Sequence, residues 1–269
     1  LREQQILQII QYEHGLDPER IERLRSVSNC VYLVRRGDDE LIVKIPGSDG
    51  QTSWIHSEIE TVRALAQCDL PVPEIVADGL ADGTPYCIYR RFGGVPIDGL
   101  SVVPSDYWRQ CGAFIAELER CGPQLRGLGQ DWRRDDWIPL RASLERGGVL
   151  SPAIDRELAV CREIYGQMPE CFCHEFCCLD WERSGPDIAL YSLGRFCAML
   201  REFRRNDDRW EAIDCVIQGY YGDRSPDLEA VSHMQNLSDM RDVWWKLSTT
   251  GREYEHGLEL IRKLEERFA

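Results

Sequence analysis

Apolar residues recur along this chain in two periods, and the switch between them divides it. The opening "LREQQILQIIQYEHGLD" places Ile6, Ile9 and Ile10 at helical spacing. Asp17-Pro18 then reads as a helix start, with Asp as the cap and Pro in the first turn. Two alternating, β-branched runs, "NCVYLV" and "ELIVKI", flank "RRGDDE" and predict a hairpin. In "SWIHSEIETVRALAQC" the residues Ile55, Ile59, Val62 and Leu65 form one helical stripe. The stretch "PVPEIVADGLADGTPYCIYRRF" predicts two further strands around a turn at Ala81-Asp82-Gly83. Beyond Gly93-Gly94 the period becomes helical. Long amphipathic helices are predicted over 106–121, about 132–146, 152–167, 188–205, 207–220, 227–247 and 252–268. Strand-like residues interrupt them only around 170–180. The expectation is an α+β, two-lobe protein: a small antiparallel lobe over 1–92 and a larger helical lobe over 93–269.

Composition narrows the function classes. Lys and Arg number 32 against 46 Asp and Glu, a net charge of −14. That balance argues against a nucleic-acid partner, whose phosphates call for basic patches. It suits a cationic small molecule drawn to an acidic surface, although acidity also serves solubility. No run approaches the roughly 20 apolar residues of a membrane helix, so no membrane partner is expected. The 12 cysteines are dispersed through periodic apolar segments such as "RFCAML", where Cys behaves as a small hydrophobe. A cytoplasmic protein with reduced thiols, monomeric or homodimeric, is expected.

Two residues carry the first chemistry. Lys44 ends the strand "LIVKI", and Glu58 follows 14 positions later on the predicted helix. A strand lysine held by a helix glutamate is how a kinase fold fixes an ammonium against nucleotide phosphates. The order of elements around that pair resembles the aminoglycoside phosphotransferase and choline kinase family, with its protein-kinase-like fold. "SVSNCVYLVRRGDDELIVKI" is similar to the family's first two strands, whose connecting loop covers the phosphates, with Ser28 and Asn29 as the binding candidates. "HSEIETVRAL" resembles the helix with the lysine-pairing acid, pointing to Glu58 rather than Glu60, and "LPVPEIVADG" the approach to the next strand. "YCIYRRFGGVPI" is similar to the inter-lobe hinge. That places Tyr89 as gatekeeper and sets the backbone of Arg90 and Phe92 against the base. "LDWERSGPDIALYSLGRF" resembles the metal-binding segment, with Asp180 as the Mg²⁺ ligand. The resemblance spans about residues 17 to 205. It implies an ATP- or GTP-dependent, Mg²⁺-requiring kinase that moves the γ-phosphoryl group to a hydroxyl of an aminoglycoside-like or other cationic molecule. Such activity serves antibiotic resistance or natural-product modification.

The chain departs from that pattern in two places. Ser192 stands where the family has a structural aspartate. The family's catalytic loop, His-Gly-Asp/Glu-x-x-Pro-x-Asn, precedes the metal aspartate by roughly fifteen to twenty residues. Here His174 precedes Asp180 by only 6, with no Pro-x-Asn between them. "CHEF" resembles the start of that loop, which makes His174 and Glu175 the catalytic candidates, Glu175 orienting the acceptor. "CCLDWE" resembles its far end. The expectation is that "CFCHEF" and "CCLDWE" are not covalent neighbours in the intact protein, the missing segment falling between Phe176 and Cys177. Should they be neighbours, the chain reads as an inactive pseudokinase that binds nucleotide or a partner.

Other readings are weaker. Cys171, Cys173, His174, Cys177 and Cys178 outnumber a zinc site's four ligands, but their alternation on a strand lacks a knuckle turn. Buried strand cysteines are the better reading, and a cysteine nucleophile has no evident His/Asn partner. Trp210, Trp244 and Trp245 read as core or cleft wall. Asp207, Asp208, Glu211 and Asp214 read as a solvated acidic face.

Overall fold

The structure is a computed structural model and describes residues 2–17, 21–24, 29–48, 52–91, 103–122, 125, 128, 137–168, 171–174, 184–187, 189–203, 209–249, 262 and 266. The chain divides into two compact units. One comprises 1–100 with 127–130 and 176–185; the other comprises 101–126, 131–175 and 186–269.

The first unit is built on a five-stranded antiparallel sheet. Its strands are β1 (Ile21–Leu24), β2 (Asn29–Arg36), β3 (Asp39–Pro46), β4 (Ile75–Ala81) and β5 (Thr84–Arg90), in the order β1-β2-β3-β5-β4. Both tight turns have the chemistry their geometry demands. Gly37, at φ 61°, opens the β2–β3 turn; Asp82 and Gly83, at φ 49° and 72°, form the paired left-handed turn of the β4–β5 hairpin.

Strand alternation gives the sheet two apolar faces. Helix α1 (Arg2–His14) covers one, packing Ile6, Leu7 and Ile10 among Val34, Leu41, Val43, Ile45, Tyr86 and Ile88. Two tyrosines of the sheet bond to α1: Tyr32 donates to Glu3, and the Tyr86 hydroxyl lies 2.7 Å from His14 Nε2. The "His-Gly" at 14–15 is the helix end, where Gly15 takes φ 62° and the Leu16 N–H returns to the Gln11 carbonyl at 3.0 Å. Helix α2 (Thr52–Ala66) packs on β3, β4 and β5, burying Ile55, Ile59, Val62 and Leu65.

One expectation fails here. The helix predicted to start at Asp17-Pro18 does not extend into Ile21–Leu24, which is strand β1, paired with Val31–Val34. Four residues are too few to sustain a helix against an available strand edge. The Asp17 N–H is also committed to the Arg35 carbonyl at 2.9 Å.

The second unit is helical: α3 (Ser105–Cys121), α4 (Trp137–Arg146), α5 (Pro152–Gln167), α6 (Ala189–Phe203), α7 (Arg209–Tyr221) and α8 (Leu228–Thr249). Strands β6 (Cys171–His174) and β7 (Ser184–Asp187) form a two-stranded sheet, the second of them unforeseen. Each helix follows its predicted stripe, and the starts carry their signals. Ser151 caps α5 by accepting from the Ile154 N–H at 3.3 Å, with Pro152 in the first turn. Asp227 caps α8 by accepting from the Ala230 N–H at 3.0 Å. Of the helix predicted over 252–268, Arg262 and Glu266 are described, both helical. Trp210, expected in the core or a cleft wall, is outside the core: it is 53% exposed, with its ring under the Arg209 guanidinium. Glu211 and Asp214 are exposed, as a solvated face requires.

The α3–α7 contact is unusually intimate because two glycines face it. A Cβ at Gly112 would overlap the Val216 carbonyl oxygen, and one at Gly219 the Arg109 carbonyl oxygen. Backbones this close have no room for a methyl group. Gly112→Ala should therefore destabilise the protein by about 1–3 kcal/mol or more in urea denaturation. Gly166→Ala, on α5 where a new Cβ meets nothing within 4 Å, should be neutral or stabilising.

Candidate active site

Lys44 lies in β3 between Val31 of β2 and Cys87 of β5. Its neighbours Val43 and Ile45 point into the core with α1, so alternation sends Lys44 to the face that α2 covers. There α2 presents Glu58 between its buried isoleucines. Lys44 Nζ donates to Glu58 Oε2 at 2.7 Å, with Lys44 6% exposed and Glu58 1%. Glu60, two positions on, faces solvent. A buried charge pair of this kind is held by geometry: removing one partner strands the other in a low-dielectric interior.

Tyr89 sits on the same face of β5, 6% exposed. Burial, and then the Glu58 carboxylate, hold its phenol well above its ordinary value. Its hydroxyl is buried beside the ion pair, facing Glu58 and Cys87. Burial pushes the neighbouring Cys87 thiol up to about 12, and that of Cys197 likewise to about 12. Thiols held this firmly protonated are poor nucleophiles, which disfavours covalent cysteine chemistry at these positions. The eight cysteines whose side chains are described form no disulfide.

The other predicted residues fall differently. Arg90 ends β5 with its side chain bound to Glu74 at 2.7 Å and Asp39 at 2.9 Å. Its N–H is given to the Glu74 carbonyl at 2.9 Å. Asn29 starts β2 opposite Pro46 and is buried. The backbone of His174 lies in β6. Ser28, Phe92, Glu175, Phe176, Cys177 and Asp180 lie outside the described residues, as does the expected break between Phe176 and Cys177.

The extra strand β1 revises one assignment. The turn joining "NCVYLV" to "ELIVKI" was expected to cover the phosphates, yet register places Asp39 five residues from Lys44. At strand rise that is about 17 Å, too far to close over a group held by Lys44. Strand β1 ends at Leu24, opposite Val31, and β2 begins at Asn29 opposite Pro46, two residues along β3 from Lys44. The four-residue "IERL" has too little alternation to announce a strand.

A sequence model of the phosphotransferase enzyme family (APH) matches residues 20–175, more than half of the chain. The chain belongs to that family. Solved structures agree on the fold. The GDP complex of wild-type aminoglycoside 2′-phosphotransferase-IIIa superposes with a TM-score of 0.73 at 16% identity, covering 97% of each chain. The macrolide 2′-phosphotransferase MphH of Brachybacterium faecium gives 0.67 at 16% identity, covering 94% of this chain and 96% of its own. A microcompartment-associated aminopropanol kinase gives 0.64 at 19% identity, covering 96% and 94%. A search of curated protein sequences found no match.

The buried pair of this phosphotransferase makes a thermodynamic prediction. Lys44→Met should cost about 3–5 kcal/mol in urea denaturation, because the buried Glu58 carboxylate loses its cationic partner. Lys44→Met combined with Glu58→Leu should recover most of that loss, since a buried pair exchanges for apolar volume at little cost.

Proposed function

We propose that this phosphotransferase holds a nucleoside triphosphate by Lys44 and passes its γ-phosphoryl group to a hydroxyl of a small cationic molecule. The observation that carries the reading is the buried Lys44–Glu58 pair, standing in the family's order of strands. Glu58 keeps the ammonium extended, and the ammonium offsets phosphate charge in a site where water competes poorly. The backbone of Arg90 and Phe92 would meet the base, and Tyr89 would form the wall behind it. The site's chemistry fits a polyphosphate: a buried cation fixed by its carboxylate partner. Asp180 would hold Mg²⁺, which supplies further charge neutralisation. Glu175 would orient the acceptor hydroxyl, with His174 shaping the loop. The reaction then depends on positioning and charge, with no covalent enzyme intermediate.

Relatives of this fold are described with GDP in one case and with ADP and spectinomycin in another, which supports either ATP or GTP as the donor here. Aminoglycosides and aminopropanol among the relatives' substrates, together with the charge of −14, favour an amine-bearing acceptor. A second reading, a nucleotide-binding module without turnover, is favoured by one feature. His174 and Asp180 are 6 residues apart, leaving no room for the asparagine that holds a second metal ion.

Calorimetry with Mg·ATP and Mg·GTP should show binding that Lys44→Ala weakens; equal affinity in that variant would remove the main support for the assignment. A turnover screen of aminoglycosides, amino alcohols and neutral sugars separates the two readings. For an active enzyme, kcat/KM on cationic acceptors should fall as salt rises. Turnover confined to anionic acceptors would contradict the acceptor class, and nucleotide binding without any turnover would favour the module.

A further inference from the structure

The helical unit contains a second convergence of polar side chains, in the seam between α5 and α8. Glu157 and Cys161 are one turn apart on α5; His233 and Asn236 are nearly one turn apart on α8. One carboxylate oxygen, the Cys161 sulfur and a ring nitrogen of His233 all lie within 4.8 Å of one another. His233 Nδ1 is 2.7 Å from Glu157 Oε1, and Asn236 Nδ2 donates to that same oxygen at 2.5 Å. Cys161 is fully buried and its sulfur lies 3.2 Å from the His233 carbonyl oxygen. The Glu157 and His233 side chains are 12% and 19% exposed.

Hydrogen bonding leaves this group unfinished. Asn236 is 7% exposed, and its Oδ1 is buried with no partner among the described residues. A buried carbonyl left in that state costs about 1–3 kcal/mol. Because an amide's oxygen and nitrogen are about 2.2 Å apart, this orphan oxygen lies at the edge of the same cluster. Turning the amide over brings Oδ1 where Nδ2 now stands, facing Glu157. Oxygen toward oxygen is repulsive unless a cation lies between them. A sulfur, an imidazole nitrogen and two oxygens on facing helices are the donor set of a borderline, tetrahedral divalent ion, and not of Mg²⁺.

We propose that Glu157, Cys161 and His233, with the Asn236 amide oxygen as fourth donor, form a zinc site that clasps α5 to α8. Tetrahedral zinc sets its nitrogen and oxygen donors about 3.3 Å apart, so the His233–Glu157 and Asn236–Glu157 contacts each open by less than an ångström. The metal takes the place of the proton between His233 Nδ1 and Glu157, and the neutral imidazole then carries its ring proton on Nε2. Burial, and then the charge of Glu157, push the Cys161 thiol up, so the metal-free protein holds it protonated. Binding therefore converts the thiol to a metal-bound thiolate, releases its proton to solvent, and oxidises nothing.

The test is independent of phosphoryl transfer. Chelator-treated full-length protein is titrated with Co²⁺ and read by absorbance, then with Zn²⁺ and read by thermal melting. One equivalent of Co²⁺ should give a thiolate-to-cobalt charge-transfer band with tetrahedral d–d bands, and Zn²⁺ should displace it and raise the Tm. Cys161→Ser should abolish the charge-transfer band, whereas Cys68→Ser should leave it. His233→Asn, at the more exposed edge of the cluster and milder for the fold, should weaken Co²⁺ binding by at least about tenfold while circular dichroism stays unchanged. The proposal is overturned if the wild-type protein shows no such band. A band that survives in folded Cys161→Ser, or one of unchanged affinity in folded His233→Asn, overturns it equally.

Discussion

The sheet-bearing unit of this protein depends on one buried ion pair, that between Lys44 and Glu58. An ammonium and a carboxylate cannot be taken out of water without cost, and their attraction offsets that cost only at close range. The pair therefore fixes the position of α2 against the sheet, since any slippage of the helix by a turn would bury two uncompensated charges. The packing of Ile55, Ile59, Val62 and Leu65 adds depth to the seat; the ion pair sets its register. Tyr89 and Cys87 share that buried face, and their raised ionisation follows from the same dry surroundings.

The helical unit is organised by packed cations of another kind. The Arg241 guanidinium lies 4.4 Å from the centre of the Tyr191 ring and within 6 Å of those of Tyr165 and Trp137. Arg195 donates to Ser238 at 2.9 Å and also to Asp242, while Arg201 clasps Asp239 through both carboxylate oxygens. These bonds join α6 and α8, and the aromatic rings bring α4 and α5 to the same place. α8 is thus the spine of the unit. Its polar residues point inward where a simple amphipathic helix would leave them in water.

That inversion explains what was legible in the sequence. Helices and hairpins declare themselves through apolar period and turn residues, so α2, α3, α5 and the β4–β5 hairpin could be placed almost to the residue. The Lys44–Glu58 pair was legible because a known order of elements gives two distant residues a reason to meet. β1 was not, because "IERL" acquires its strand character only from the edge of β2. Nor was the Glu157–Cys161–His233–Asn236 cluster, which spans 79 residues between Glu157 and Asn236 and looks in sequence like two unremarkable helix faces. Contacts between helices leave a periodic trace of burial but no trace of which polar residue faces which.

The α1 helix has a consequence for handling the protein. It screens a sheet face that includes Val34, Leu41, Val43, Ile45 and Ile88, all at most 1% exposed while it is in place. A protease nick near Leu16, or a shortened version starting at β1, would open that apolar face to solvent next to an unpaired strand edge. Flat, hydrophobic and edge-bearing surfaces are the ones that recruit other chains. Helix α1, about three and a half turns long, is therefore what keeps this sheet from self-association.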